Sequence, residues 1–192
     1  SSAPTESFSS RAARQTEAIS ETAPLFSLPG PWTFGGNQRE DVTFSAEANP
    51  GSSFVVTLSA RCDGGKGFRS PLTSRDEKPT SGYLFYVDNE EKWSFWVGDG
   101  VYWAGLQGPA AQLGTWAQLR GVVDIEAREV SFYVDGVLAG HRPGVDFVAN
   151  LRQPLRLGAG RSESPDARYF FHGSVKDLTI HQLQGPANTT SH

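Results

Sequence analysis

The chain has 192 residues and a net charge of −4, with 38% hydrophobic and 11% aromatic residues, values of a globular chain long enough to bury a core. Acids and bases are interspersed with no basic stripe, which excludes a reader of the phosphate backbone, so no nucleic-acid partner is expected. No apolar run approaches the roughly 20 residues of a membrane span, and one cysteine, Cys62, excludes an intrachain disulfide framework.

Residues 1–30 differ from the rest in having few large apolar side chains and no strand alternation. Ser10 to Glu21 reads as one short helix, after which Pro24, Pro29 and Pro31 punctuate an extended segment holding Leu25, Phe26 and Leu28. Two readings stand side by side. One is a loose tail; the other is an arm that docks Leu25 and Phe26, either on this chain or on a larger assembly. The Ser- and Ala-rich start with Arg11 and Arg14 suits the remnant beside a removed targeting sequence, against which Glu6 and Glu17 count. The absence of any Met, the initiator included, points to a processed or trimmed chain.

From Trp32 onward, strand-like runs alternate with turn clusters. The predicted strands are 41–47, 53–61, 70–75, 82–88, 92–97, 101–106, 115–124, 129–135, 137–141, 154–159, 168–172 and 174–182. Cys62 falls near a strand end and reads as a small buried hydrophobe. Around the turn Asn89-Glu90-Glu91, pairing Asp88 with Lys92 sets Val87 by Trp93, Phe85 by Phe95 and Tyr83 by Val97. That face is uniformly apolar and should be core. The opposite face sets Leu84 by Trp96 and Tyr86 by Ser94, beside an Asp88–Lys92 charge pair. Continuing through Gly98-Asp99-Gly100 brings Trp103 opposite Trp96. Leu84, Tyr86, Trp96 and Trp103 then form one outward strip. An exposed apolar strip calls for a cover: a stacked sugar, a protein partner, or the chain's own N-terminal arm.

The second predicted hairpin sets Leu119, Gly121 and Val123 against Val134, Phe132 and Val130, with Ile125 to Arg128 as its turn. Asp135-Gly136 makes the next tight turn. Asp124, Glu126 and Glu129 give D-x-E-x-x-E, superficially like the paired acids of a glycoside hydrolase. Those acids must project from one rigid strand into a cleft, whereas these fall on a turn, so no catalytic residue is assigned. The histidines, His141, His172, His181 and His192, show no metal-ligand spacing. Gly158-Ala159-Gly160 reads as a strand end, since no βαβ unit surrounds it. Asn188-Thr189-Thr190 fits a glycosylation sequon.

Gly114-Thr115-Trp116, Phe132-Tyr133-Val134-Asp135-Gly136, Leu157-Gly158 and Phe171-His172-Gly173-Ser174-Val175-Lys176-Asp177-Leu178, in that order, resemble the laminin G-like, concanavalin A-like jelly roll over about residues 40–182. Ser70 to Arg75 and Gly82 to Phe85 sit where such domains place central strands. The resemblance implies an all-β, antiparallel two-sheet sandwich over 31–184, with an N-terminal extension or arm over 1–30 and a tail over 185–192. It implies a non-catalytic module that recognises a glycan or a protein. The alternatives are a structural accessory subunit of a larger assembly, joined through residues 1–30, and a glycoside hydrolase or lyase. No cofactor is expected. Relatives that hold calcium make Asp63, Asp88 and Asp99 the loop acids to test as ligands. The sequon and the family imply an extracellular or cell-surface location; an organelle is the alternative.

Overall fold

The computed structural model describes residues 23–183; the expected helix over 10–21, His192 and the sequon at Asn188 lie outside them. Thirteen strands form two antiparallel sheets. The first holds β1 (Phe26–Leu28), β2 (Trp32–Gly35), β4 (Phe54–Gly64), β9 (Trp116–Asp124), β10 (Glu129–Val134), β11 (Val137–Pro143) and β13 (His172–Gln182). Its order is β1-β13-β4-β9-β10-β11, with β2 also on β13. The second holds β3 (Glu40–Val42), β5 (Arg69–Glu77), β6 (Thr80–Val87), β7 (Lys92–Gly98), β8 (Trp103–Ala110) and β12 (Leu155–Leu157), in the order β3-β12-β5-β6-β7-β8. The interleaved order makes the sheets one jelly-roll sandwich.

Alternation decides which side chains meet between the sheets. Phe54, Val56, Leu58, Ala60 and Cys62 point inward from β4, and Leu119 and Val123 from β9. Tyr83, Phe85 and Val87 of β6 meet them with Trp93, Phe95 and Val97 of β7. The register across β6 and β7 is the one expected, with Leu84 opposite Trp96 and Phe85 opposite Phe95. So is the register of β9 and β10, where Gly121 faces Phe132. Gly121 leaves room for the Phe95 ring, which would lie 2.3 Å from a Cβ there. Cys62 is buried in this core, and burial pushes its thiol pKa up.

Four expectations change. The run 41–47 is a strand only over Glu40–Val42, because the chain turns at 46–48, where the Ala48 amide donates to Ser45 Oγ. Of the run 168–172 only His172 is strand, joining 174–182 in β13 with a bulge at His172/Gly173, while 168–171 belong to a loop. Gly173 is required there, since a Cβ would sit 1.9 Å from the Arg61 carbonyl oxygen. Trp103 pairs with Gly98, and Gly105 is opposite Trp96. The reason is a longer turn: Asp99 Oδ1 accepts from the amides of Val101 and Tyr102, at 2.9 and 2.6 Å, adding two residues to the loop. Trp103 keeps the same parity and stays on the Trp96 face. The Asp88–Lys92 link runs through the backbone, Asp88 N to Lys92 O at 2.9 Å. The lysine ammonium lies 3.4 Å from Glu90, and the Asp88 carboxylate accepts from Glu90 N, Lys92 N and Gln107 Nε2.

The described part of the arm does not run toward the aromatic strip. Phe26 to Leu28 add to the edge of β13 in the first sheet, where Phe26 is opposite Ile180, and both apolar side chains pack against the core.

Candidate functional site

The outer face of the second sheet carries the strip. One row crosses all six strands: Asp41, Arg156, Thr73, Leu84, Trp96 and Gly105. Gly105 lets the Trp96 indole lie down on β8, where a Cβ would be 3.1 Å from the ring. In the next row Arg75 is opposite Gly82 and Gly98 is opposite Trp103. With no side chains on β6 and β7 in that row, the Arg75 guanidinium reaches across and lies 4.8 Å from the Trp103 ring centroid.

Most of the strip is closed over by the chain itself. Phe68, from the loop before β5, and Tyr169, from the loop 158–171, form an aromatic group with Tyr86 and Trp96. Phe68 and Tyr169 lie 5.0 and 5.7 Å from Tyr86, and Phe68 lies 5.9 Å from Trp96, all edge-on. Leu84 and Tyr86 are buried beneath it, at 1% and 4% exposure, and burial pushes the Tyr86 phenol up to about 12. Trp96 and Trp103 remain half-buried, and the turn beside Trp103 exposes Val101 and Tyr102.

Loop 158–171 is held to the sheet by charge. Arg75 makes two bonds to Glu163, at 2.9 and 2.7 Å, and a third to Glu77 at 2.9 Å. Arg161 approaches the same carboxylates, at 3.4 Å from Glu77 and 3.6 Å from Glu163. Burial works against the Arg75 charge, but the bidentate pair with Glu163 outweighs it and raises the pKa. Ser162 Oγ joins loop to strand, accepting from Arg75 N at 2.8 Å and donating to Arg75 O at 3.2 Å. Arg161 and Tyr169 both adopt left-handed backbone, φ 58° and 54°, a conformation that non-glycine residues hold only when their surroundings fix it. The accessible surface is therefore aromatic at Trp96, Trp103, Tyr102 and Tyr169, with two guanidinium and two carboxylate groups alongside. Arg75, Arg161, Glu163, Phe68 and Tyr169 carry no local pattern that marks them; Arg75 and Glu163, for instance, are 88 residues apart in sequence.

The other candidates are not brought together. Asp63 is held by Arg61 at 2.9 Å. Asp88 caps the turn after β6, and Asp99 the turn after β7, whose two amides lower its pKa. No cluster of three or more His, Cys, Asp or Glu suited to a metal exists among the described residues. Each of these three aspartates is bonded to its own local partners. Asp124 Oδ1 accepts from Ala127 N at 3.0 Å, and residues 125–128 are the turn expected, so the acids flank a hairpin turn rather than projecting from one strand. His141 lies on β11, and His172 and His181 on β13. A second concavity of about 290 Å³ opens at the sandwich side between β8 and β11, lined by Pro109, Val134, Val137 and Leu138. No charged side chain lines it. No helix among the described residues is long and apolar enough to cross a membrane.

Two antiparallel sheets in this order define a lectin-like β-sandwich. The sequence model of the concanavalin A-like lectin/glucanases superfamily matches residues 35–184, and the chain belongs to that family. No curated protein sequence matches it. Among solved structures, the chain is similar to the CBM40 module of Ruminococcus gnavus IT-sialidase bound to α2,3-sialyllactose. They share 13% identity over 85% of this chain and 95% of that one, with a TM-score of 0.64. It is also similar to domains LG4-5 of the mouse laminin α1 chain, at 15% identity over 89% of this chain and 48% of that one, TM-score 0.61. For the NanB sialidase of Streptococcus pneumoniae the values are 14%, 86% of this chain but only 27% of that one, and 0.67.

Proposed function

We propose that this domain is a non-catalytic recognition module that binds a glycan across Trp103, Trp96 and the Arg75–Glu163 network. The observation that carries this reading is the half-buried Trp103 ring held in place by Arg75. An aromatic ring fixed at a surface offers an apolar platform to the C–H face of a sugar at little entropic cost. The guanidinium and carboxylate groups beside it supply donors and acceptors for hydroxyls. The sialyllactose bound by the R. gnavus module supports a glycan as the ligand class. The acids of the 124–129 turn give a hydrolase reading no support. An extracellular or cell-surface setting goes with this reading.

The second reading is a protein partner, favoured by one observation: Val101 and Tyr102 next to Trp103 are 68% and 74% exposed. A glycan array followed by calorimetry on the positive glycans decides between them. Binding that falls roughly tenfold or more in Trp103→Ala supports the glycan reading. An array with no positive, together with a protein captured by the wild type and lost in Tyr102→Ala, overturns it.

A further inference from the structure

Four charged side chains border the aromatic surface, and they differ in what they can still bind. Arg75 and Glu163 are spent on each other. Both side chains are 8% exposed, and Glu163 accepts two bonds from Arg75, at 2.9 and 2.7 Å. Releasing either would free loop 158–171 from the sheet. Arg161 is partly open, but its guanidinium is turned to the same two carboxylates, 3.4 Å from Glu77 and 3.6 Å from Glu163. Glu77 differs from the other three: about half of its side chain, 47%, is exposed. Both guanidinium groups reach it at one oxygen, Oε1, from Arg75 at 2.9 Å and from Arg161 at 3.4 Å. A carboxylate has about four acceptor sites, so Glu77 keeps capacity to accept from a ligand at Oε2. Arg75 also ties Glu77 to the aromatic platform, since the same guanidinium lies 4.8 Å from the Trp103 ring centroid. Ring and carboxylate are thus held one guanidinium apart.

Resting on the glycan reading above, we infer that the ligand is an uncharged sugar: its ring stacks on Trp103, its hydroxyls donate to Glu77, and Glu77 turns acidic sugars away. Charge selects this class. The two guanidinium groups and the two carboxylates cancel, so the network offers an anion no net attraction. A sugar carboxylate or sulfate is held best by a guanidinium free to give it two parallel bonds, and both guanidinium groups here already face carboxylates. An acidic group would have to displace Glu163, which fastens the loop, or lie against Glu77, a like charge. Hydroxyls meet the opposite situation. Each brings a donor as well as acceptor lone pairs, and a hydrogen bond to an ionised acceptor is roughly twice as strong as one between neutral groups. Arg168, exposed next to Tyr169, is the cation that an acidic glycan would have to use instead.

The test places the full chain on an array of uncharged glycans printed beside their sialylated and sulfated forms, followed by calorimetry on the strongest positive. The expected positives are uncharged. The affinity of the strongest should change less than about twofold between roughly 0.05 and 0.5 M NaCl, since salt screens only charge pairs. Arg168→Ala should leave it within about twofold as well. Glu77→Gln keeps the side chain's shape and an acceptor for Arg75. It should weaken the uncharged glycan about tenfold and add the sialylated form of the same glycan to the positives, a change of selectivity that a merely structural Glu77 would not produce. Acidic glycans bound as well as their uncharged forms overturn the inference while leaving a glycan-binding module. So does an affinity that collapses with salt or with Arg168→Ala, or a Glu77→Gln variant that binds the same glycans as the wild type. An array with no positive overturns the glycan reading as well.

Discussion

On the outer face of the second sheet, Leu84 and Tyr86 lie under a loop of the same domain that is tied down by the Arg75–Glu163 pair. On the outer face of the first, Val55 and Val122 are equally buried, but no comparable loop crosses them among the described residues. The first kind of cover is polar at its seam and leaves Trp96 and Trp103 half-open at its margin, the surface proposed above for recognition. The second face mixes apolar and polar groups in the same rows, with Ser131 paired to Val122 and Arg120 to Tyr133. The difference teaches that apolar residues on an outer strand face report a cover, and that the chemistry of the seam separates a binding margin from a packing surface.

The sharpest way to break the comparison is to put a charge under each cover. Val122→Asp buries a carboxylate without a partner and should cost upwards of about 3 kcal/mol by chemical denaturation. If the face were open, the cost would fall below about 0.5 kcal/mol. Glu163→Ala leaves the guanidinium of Arg75, 7% exposed, with only Glu77 to balance it, so a loss of about 3 kcal/mol is expected. Protease cleavage within 161–169 should rise with it. Arg75→Met in the Glu163→Ala background should recover much of that loss, because a buried pair replaced by apolar groups is close to neutral.

Alkaline pH probes the aromatic cover through Tyr86, with the Tyr83 and Tyr133 phenols also raised by burial. The Tyr86 phenol is pushed up to about 12 from an ordinary value near 10 by burial. Its neutral form is therefore the one the fold favours. That contribution is complete below pH 10 and is lost as pH rises from 10 toward 12. The loss should approach about 3 kcal/mol, and a Tyr86→Phe variant followed over the same range should lose less than the wild type by that amount. Smaller still is the effect at the margin: Trp103→Ala should weaken glycan binding by about 1.5–3 kcal/mol while changing stability by less than Val122→Asp. At the bottom of the scale, Lys176→Ala removes only a cation 4.2 Å from the Trp116 ring. It should cost no more than about 0.5–1 kcal/mol, as expected of the open part of the first sheet's outer face.

The two central hairpins were legible in the sequence because a one-residue slip in either would have moved Phe85, Phe95 and Phe132 from the core to solvent. Loop lengths were less so. The β7–β8 turn is two residues longer than its glycines suggested, since the Asp99 carboxylate stabilises a turn that pattern alone does not show. β1 and β2 were missed as strands because runs of three and four residues beside prolines give alternation too little length to register. The aromatic strip was visible, but its cover was not. Tyr169, Phe68 and Glu163 reach it from loops whose local composition says only that they turn. Of the two readings left open for residues 1–30, Phe26 and Leu28 follow the docked one, but they join the edge of β13 rather than the strip.

The pairing of β1 with β13 also sets how the domain would respond to a pull. Leu25 and Gln182 sit at the same end of two antiparallel neighbours. A force drawing the two ends apart would therefore load the ladder one hydrogen bond at a time and peel β1 away before any strand has to slide past another. Tethered by both ends, the sandwich should yield first at this edge, at low force, with β4 to β12 still folded and the Trp103 face intact.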